Sequence, residues 1–201
     1  MGHCIERVAL SRGHEIVARI DVGTPFELNG ADVAIEFTTP ATAEANVRRA
    51  WEAGVPVVCG STGWDSQALL DEDKRLHDRQ MLVWSSNYSV GVNMFFALNK
   101  DLAQMMAGQP QYTPSITEIH HIHKLDKPSG TAKTLYNDLI SSAKPLSDVA
   151  IESIREGEVP GTHTVTWDSP EDTIVITHIA KGRDGFALGA VIAAERLVNN
   201  R

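Results

Sequence analysis

The chain has 201 residues, 42% of them hydrophobic and 22% charged, as an ordinary folded protein of one large or two small domains has. Its net charge of −8 argues against a nucleic-acid partner, which would ask for a basic face. No apolar run approaches the roughly 18 residues of a membrane span, and no charged-then-apolar signal opens the chain, so a soluble cytoplasmic protein without a membrane partner is expected.

The first two-fifths of the chain alternate short apolar runs with helical patterns, the mark of βαβ units and a parallel sheet. After Met1-Gly2, the segment His3 to Arg12 carries Ile5, Val8 and Ala9 at helical spacing. "EIVARID" (15–21), "VAIEF" (33–37), "VPVVCG" (55–60) and "MLVWSS" (81–86) read as strands. Residues 41–53 and 66–79 read as helices, the first capped by Thr39 with Pro40 at its first position. Cys4 and Cys59, far apart in apolar contexts, read as free buried thiols of a reducing compartment.

From about Asn87 the character changes. A helix over 93–106 leads into "SITEIHH", a helix over 128–142, and the runs "AIESIR", "HTVTW" and "TIVITHIA". These strands alternate apolar and polar residues, as a sheet with one solvated face does, and so predict a second, α+β domain. A last Ala-rich helix spans 186–198.

In open parallel sheets ligands bind beyond the carboxyl ends of the strands. Three such ends carry small polar residues: Glu36 to Thr39, Gly60-Ser61-Thr62-Gly63, and Ser85-Ser86-Asn87-Tyr88. Small residues let a flat cofactor approach the backbone; the structural alternative is a plain strand-to-helix turn. Asp21 ends the second strand pattern, where dinucleotide folds set an acid against ribose hydroxyls; it also suits a turn before Gly23 and Pro25. A first strand and G-x-G-x-x-G are absent, and Met1-Gly2 looks like the tail of such a loop.

The stretch "EIHHIHKLDKPSGTA" (118–132) holds three histidines and two lysines ahead of a helix start. On a strand His121 and His123 share a side and could chelate a metal with His120 or Asp126. No second Cys/His cluster or H-E-x-x-H run supports that reading, and no metal is expected. Ser129-Gly130-Thr131 opens a helix whose N–H groups and positive dipole end suit a carboxylate, with Lys124 nearby. A solvated polar edge remains the bland alternative.

Taken together, "EIHHIHKLDKPSGTA", "CGSTGW" (59–64), "SSNYSVGVN" (85–93), "REGEVPG" (155–161) and "RDGFALGAV" (183–191) resemble the motifs of the 4-hydroxy-tetrahydrodipicolinate reductase family, also called dihydrodipicolinate reductases. They occur in the family's order over nearly the whole chain. The resemblance implies an α/β oxidoreductase of the diaminopimelate route to lysine. Its Rossmann-like parallel sheet, here lacking the first strand, would belong to a dinucleotide-binding domain over 1–87 rejoined by 184–201. A substrate-binding and oligomerisation domain over 88–183 would assemble a homotetramer.

By the same resemblance His120 is the general acid that protonates the substrate after hydride arrives, and Lys124 assists. His121, Ser129, Gly130 and Thr131 bind the small-molecule dicarboxylate. Gly60, Ser61, Thr62, Ser85, Ser86, Asn87 and Tyr88 line the nicotinamide of NADH or NADPH, and Asp21 takes the ribose. Asp21 leans toward NADH because a carboxylate repels a 2′-phosphate. Lys127 stands where the family usually has Ala, and the final helix ends early, at Arg201. With the first strand and Gly-rich loop absent, weakened cofactor binding is the expectation, and a catalytically impaired, dicarboxylate-binding fragment of such an enzyme is the alternative.

Overall fold

Residues 1–142 and 148–199 are described by a computed structural model, within two units: Met1–Ser89 with Asp184–Arg201, and Val90–Arg183. In the first unit, β1 (Ala34–Glu36), β2 (Val57–Cys59) and β3 (Leu82–Trp84) form a parallel sheet in that order, with Val58 level with Ile35 and Val83. Every residue of β2 is buried, as in a parallel strand covered on both faces. Alternation sends Val57 and Cys59 to one face, where they pack with Ala43, Val47 and Ala50 of α2 (Pro40–Glu52) and Leu69 of α3 (Ser66–Leu76). Val58 points the other way, into a cluster with Ala190, Ala194 and Leu197 of α6 (Asp184–Asn199).

Helix α1 (Gly2–Ser11) packs on α6 through Ile5, Ala9, Ala187 and Val191. Arg12 and His14 both reach Glu195, at 2.7 and 2.8 Å. Thr39 and Thr42 form a reciprocal capping box at the start of α2, with Pro40 in its first turn.

Two expectations for this unit are corrected. The run 15–21 belongs to no strand among the described residues, and Asp21 instead closes an exposed turn, its N–H donating to Thr24 Oγ1 at 2.8 Å and its carbonyl accepting from Thr24 N–H at 3.0 Å. In a doubly wound sheet the second strand joins through the first. The described sheet holds β1, β2 and β3, and the run pairs with none of them, although β1 is an edge strand. Helix α3 stops at Leu76, before the expected residue 79, where the chain turns back on the helix: the carboxylate of buried Asp73 accepts from Met81 N–H (3.1 Å) and Leu82 N–H (3.0 Å) and meets His77 Nδ1 at 2.8 Å. Neither cysteine is in a disulfide; Cys59 is buried, but Cys4 is only half-buried.

In the second unit, β4 (Thr113–His120) pairs parallel with β5 (Ala150–Arg155) and antiparallel with β6 (Thr162–Asp168), which pairs antiparallel with β7 (Thr173–Ile179). The resulting order is β5-β4-β6-β7, a mixed sheet. Helices α4 (Val90–Met106) and α5 (Gly130–Ser142) contribute Phe95, Ala103, Met106, Ala132, Leu135 and Leu139 to a core completed by Ile116, Val165 and Trp167 of the sheet. Helix α5 starts two residues after Pro128 because Ser129 is its cap, its Oγ accepting from Ala132 N–H at 3.2 Å. Among the described residues no helix is long and apolar enough to cross a membrane.

Candidate active site

The two-residue period of a strand builds the site. On β4, Pro114, Ile116, Glu118 and His120 all fall on the buried face; on β6, His163, Val165 and Trp167 do. Register sets Glu118 opposite His163 on one side and beside Ser153 on the other, and sets His120 beside Arg155. The inner face of the sheet therefore changes from apolar at Ile116, Val165 and Trp167 to polar at the end of β4.

Glu118 is 0% exposed, Ser129 2%, His163 4% and His120 7%. A carboxylate so deeply placed needs several donors to remain ionised. Glu118 has them: Arg155 Nη2 at 3.0 Å, Ser129 N–H at 3.3 Å, the Ser153 hydroxyl, and His120 Nδ1, which faces Oε2 in a very close contact. Burial pushes Glu118 up, but the bonds from Ser153 and Arg155, with His120 and Ser129, outweigh it and hold the carboxyl below its ordinary value. Burial lowers His120, and Glu118 opposes that shift only in part, while Lys124 and Arg155 add to it.

The His120 and His163 rings meet edge to face, with centroids 4.9 Å apart. Since Ser129 Oγ already accepts from Ala132, its hydrogen is free to donate to His163 Nε2, 3.1 Å away. Burial, followed by the charge of a protonated His120, drives His163 down to about 3, so it is a neutral ring that accepts from Ser129. Arg155 also clamps the loop after β4, donating to the carbonyls of Lys124 (3.1 Å) and Asp126 (2.5 Å).

That loop departs from the expected strand. Pairing ends at His120, and the chain turns through a bond from Lys124 N–H to His121 carbonyl at 3.1 Å. His121 and His123 rings lie 5.9 Å apart, and exposed His123 reaches out to Glu158 at 3.0 Å, so they do not form the chelating pair weighed from their spacing. The donors that converge are Glu118, His120 and His163, within 4.8 Å of one another. Arg155, Ser129 and His120 already occupy the carboxylate and Ser129 occupies His163, which suits holding protons.

Lys124 Nζ pairs with Asp126 Oδ1 at 2.8 Å, at the edge of the cluster. Of the turn at the start of α5, Ser129 faces inward, with Gly130 exposed and Thr131 half-buried at the helix N-terminus. His120, Lys124 and the α5 start thus belong to one sheet end and its loop. Glu118, Ser153, Arg155 and His163 are functional neighbours that residue types alone did not single out.

The family description "Dihydrodipicolinate reductase, N-terminus" matches residues 1–88, and "Dihydrodipicolinate reductase, C-terminus" matches 91–201. The chain belongs to the dihydrodipicolinate reductase family. It is 44% identical to 4-hydroxy-tetrahydrodipicolinate reductase of Christiangramia forsetii, over 98% of this chain and 88% of that one. With the enzyme of the same name from Staphylococcus aureus strain Newman it shares 34%, over 99% and 91%. Among solved structures, a dipicolinate-bound dihydrodipicolinate reductase from Paenisporosarcina sp. TG-14 shares the fold, with a TM-score of 0.72 and 18% identity over 99% of this chain and 91% of that one. Matches to both halves of the family leave the impaired-fragment reading without support.

In a dihydrodipicolinate reductase the first unit has to accept a nicotinamide cofactor, and the carboxyl ends of β2 and β3 can be tested for that. A Cβ on Gly60 would fall 2.2 Å from the Phe37 ring, so glycine is required for that ring to pack against the end of β2. Thr62 and Ser86 are exposed beyond the strand ends, and Ser85 Oγ organises the turn by donating to Asn87 carbonyl at 2.8 Å and accepting from Asn87 N–H at 3.2 Å. The exposed hydroxyl residues Thr62 and Ser86 at these strand ends fit the polar groups of a cofactor. Ser61 is more structural: its Oγ accepts from Thr38 N–H (2.9 Å) and its carbonyl from the Trp64 and Trp84 indoles (both 2.8 Å). Tyr88 is buried, its hydroxyl held by the carbonyls of Cys59 (2.9 Å) and Val83 (2.8 Å), so its side chain props the two strands. Asp21 stands in its turn outside the sheet.

Proposed function

We propose that this chain reduces 4-hydroxy-tetrahydrodipicolinate to tetrahydrodipicolinate at the expense of NADH or NADPH, in the diaminopimelate route to lysine, with His120 as the general acid. The observation that carries the assignment of residues is the buried Glu118–His120 pair ending β4 beside Lys124 and the N-terminus of α5. The nicotinamide supplies the hydride, which no side chain can. Gly60, Ser61, Thr62, Ser85, Ser86, Asn87 and Tyr88 hold it, mainly through backbone and through turns they shape, and Asp21 serves the ribose.

Lys124 and His121 bind one end of the dicarboxylate, and Gly130 and Thr131 present the dipole-favoured end of α5 to a carboxylate. Ser129 contributes from behind by fixing that turn. His120 then donates a proton to the substrate, a role open to an imidazole held against a carboxylate. The binding of dipicolinate by the Paenisporosarcina enzyme accords with a planar dicarboxylate in this position. The same reading places the protein in the cytoplasm, where Cys4 and Cys59 stay reduced, and as a homotetramer joined through the sheet of the second unit.

The test is His120→Gln, followed by NADH oxidation with freshly generated substrate. A fall in kcat of about 10²-fold or more with a modest change in KM is expected of a lost general acid. Near-normal turnover would remove His120 from the mechanism.

A further inference from the structure

A histidine that gives up a proton has two nitrogens, and which one faces the substrate is decided by what the other is bonded to. In His120, Nδ1 forms a very close ion pair with Glu118 Oε2, and among the described residues neither atom has a hydrogen bond of regular geometry. Nε2 has Gly161 as a neighbour, where a Cβ would lie 3.1 Å from Nε2 and 3.3 Å from Cδ2. Glu118 cannot swing away, since Arg155 and Ser153 of the flanking strand β5 and the Ser129 N–H at the cap of α5 hold its carboxylate.

We propose that Glu118 is a positioning residue of the reduction: it accepts Nδ1–H of His120, fixes the ring's orientation and tautomer, and so assigns the transferable proton to Nε2. The inference rests on the reading of His120 as the acid. In the step, the Nε2–H bond breaks, its electron pair stays on nitrogen and the proton passes to the substrate. The imidazolium becomes neutral and keeps its Nδ1–H on Glu118, ready to be reprotonated at Nε2 by solvent. The two electrons of the reduction come from NAD(P)H alone.

Glu118 has a second effect, through charge. The groups facing His120 are Glu118 on its own strand, Arg155 on β5, His163 on β6 and Lys124 in the following loop. Burial, Lys124 and Arg155 disfavour the imidazolium, His163 is neutral, and Glu118 alone favours it. Without that carboxylate, the acid form should be lost at lower pH.

Two measurements test this. In the wild-type protein labelled with ¹⁵N-histidine, the neutral His120 ring should be the Nδ1–H tautomer; an Nε2–H tautomer would overturn the proposal, with no variant needed. Glu118→Gln should lower kcat at neutral pH at least about tenfold, as loss of a partner that orients a histidine does, with a smaller change in KM. The alkaline limb of its kcat profile should also move to lower pH. A Glu118→Gln profile that keeps the wild-type limb contradicts the inference, because a part that only supports the fold changes the rate without moving the limb. His120→Gln run alongside separates the two readings. If it turns over normally, the acid assignment fails and this inference with it; if it is slow while Glu118→Gln keeps the wild-type limb, only the inference falls.

Discussion

Two residues of the second unit carry opposite lessons about charge. Lys124 is a cation at the rim, paired with Asp126 at 2.8 Å, and a dicarboxylate offers it a stronger anion. Lys124→Ala should weaken binding of 2,6-pyridinedicarboxylate by about tenfold, near 1.4 kcal/mol, by calorimetric titration. Chelating agents should leave that binding unchanged; loss of binding on chelation would make Glu118, His120 and His163 a metal site instead. His163 is the contrary case, a ring kept neutral. Its folded value of about 3 lies below the ordinary 6.5, so between those limits the unfolded chain binds a proton that the folded one refuses. Its contribution is intact above pH 6.5 and is lost as pH falls toward 3, by at most about 1.4 kcal/mol per pH unit. Melting should therefore come at a lower temperature at pH 5 than at pH 7.5, and His163→Asn should flatten the dependence. A variant as acid-sensitive as the wild type would assign the effect to other groups.

At the scale of elements, α6 shows how closely main chain can pack. A Cβ on Gly189 would fall 1.6 Å from the Tyr88 carbonyl oxygen and 2.6 Å from its carbon, whereas one on Gly185 would meet only Ser89 Oγ, at 3.7 Å. Gly189→Ala should cost about 1–3 kcal/mol or more in denaturant unfolding, as overpacking does, and Gly185→Ala close to nothing. Equal effects would mean that helix propensity rather than contact decides. The helices and paired strands themselves were largely legible, because Thr39-Pro40 before α2 and alternation along β4 and β6 are local signals. What escaped depended on partners distant in sequence. Residues 15–21 have a strand's alternation, yet alternation does not set pairing, and the run joins no described strand. Asp73 reads as a surface helix residue until Met81 and Leu82 come back to meet it. The site divided in the same way: His120, Lys124 and the Ser129 turn lie in one quoted stretch, but the sequence places Arg155 and His163 more than thirty residues away, and only strand register brings them to Glu118. Glu118 was within reach of the period-two rule, two residues before His120 on the same face.

For the whole molecule, the outer face of the second sheet is the surface that asks for a partner. Alternation sends Val175 and Ile179 of β7 outward, and they are 54% and 64% exposed. Beside them run Thr162, Thr164 and Thr166 of β6, with Thr164 Oγ1 3.1 Å from Thr177 Oγ1, so the charge on this face of the two strands is confined to Asp168 at the end of β6. β7 is also an edge strand, and an edge bearing exposed apolar residues and little charge is one that proteins usually cover. A second copy laying the same face against it would bury threonine methyls and aliphatic side chains while leaving Asp168 at the rim, and closed symmetry would use that face in every subunit. On the homotetramer proposed above, sedimentation equilibrium should give a mass near four chains. Val175→Lys with Ile179→Lys would place ammonium groups in the contact, each leaving water without a partner, and should shift the mass toward smaller species. Far-ultraviolet circular dichroism should stay unchanged, because both side chains point away from the core of their own unit. A wild-type chain that sediments as a monomer, or a double variant that still assembles fully, would rule out this face as the interface.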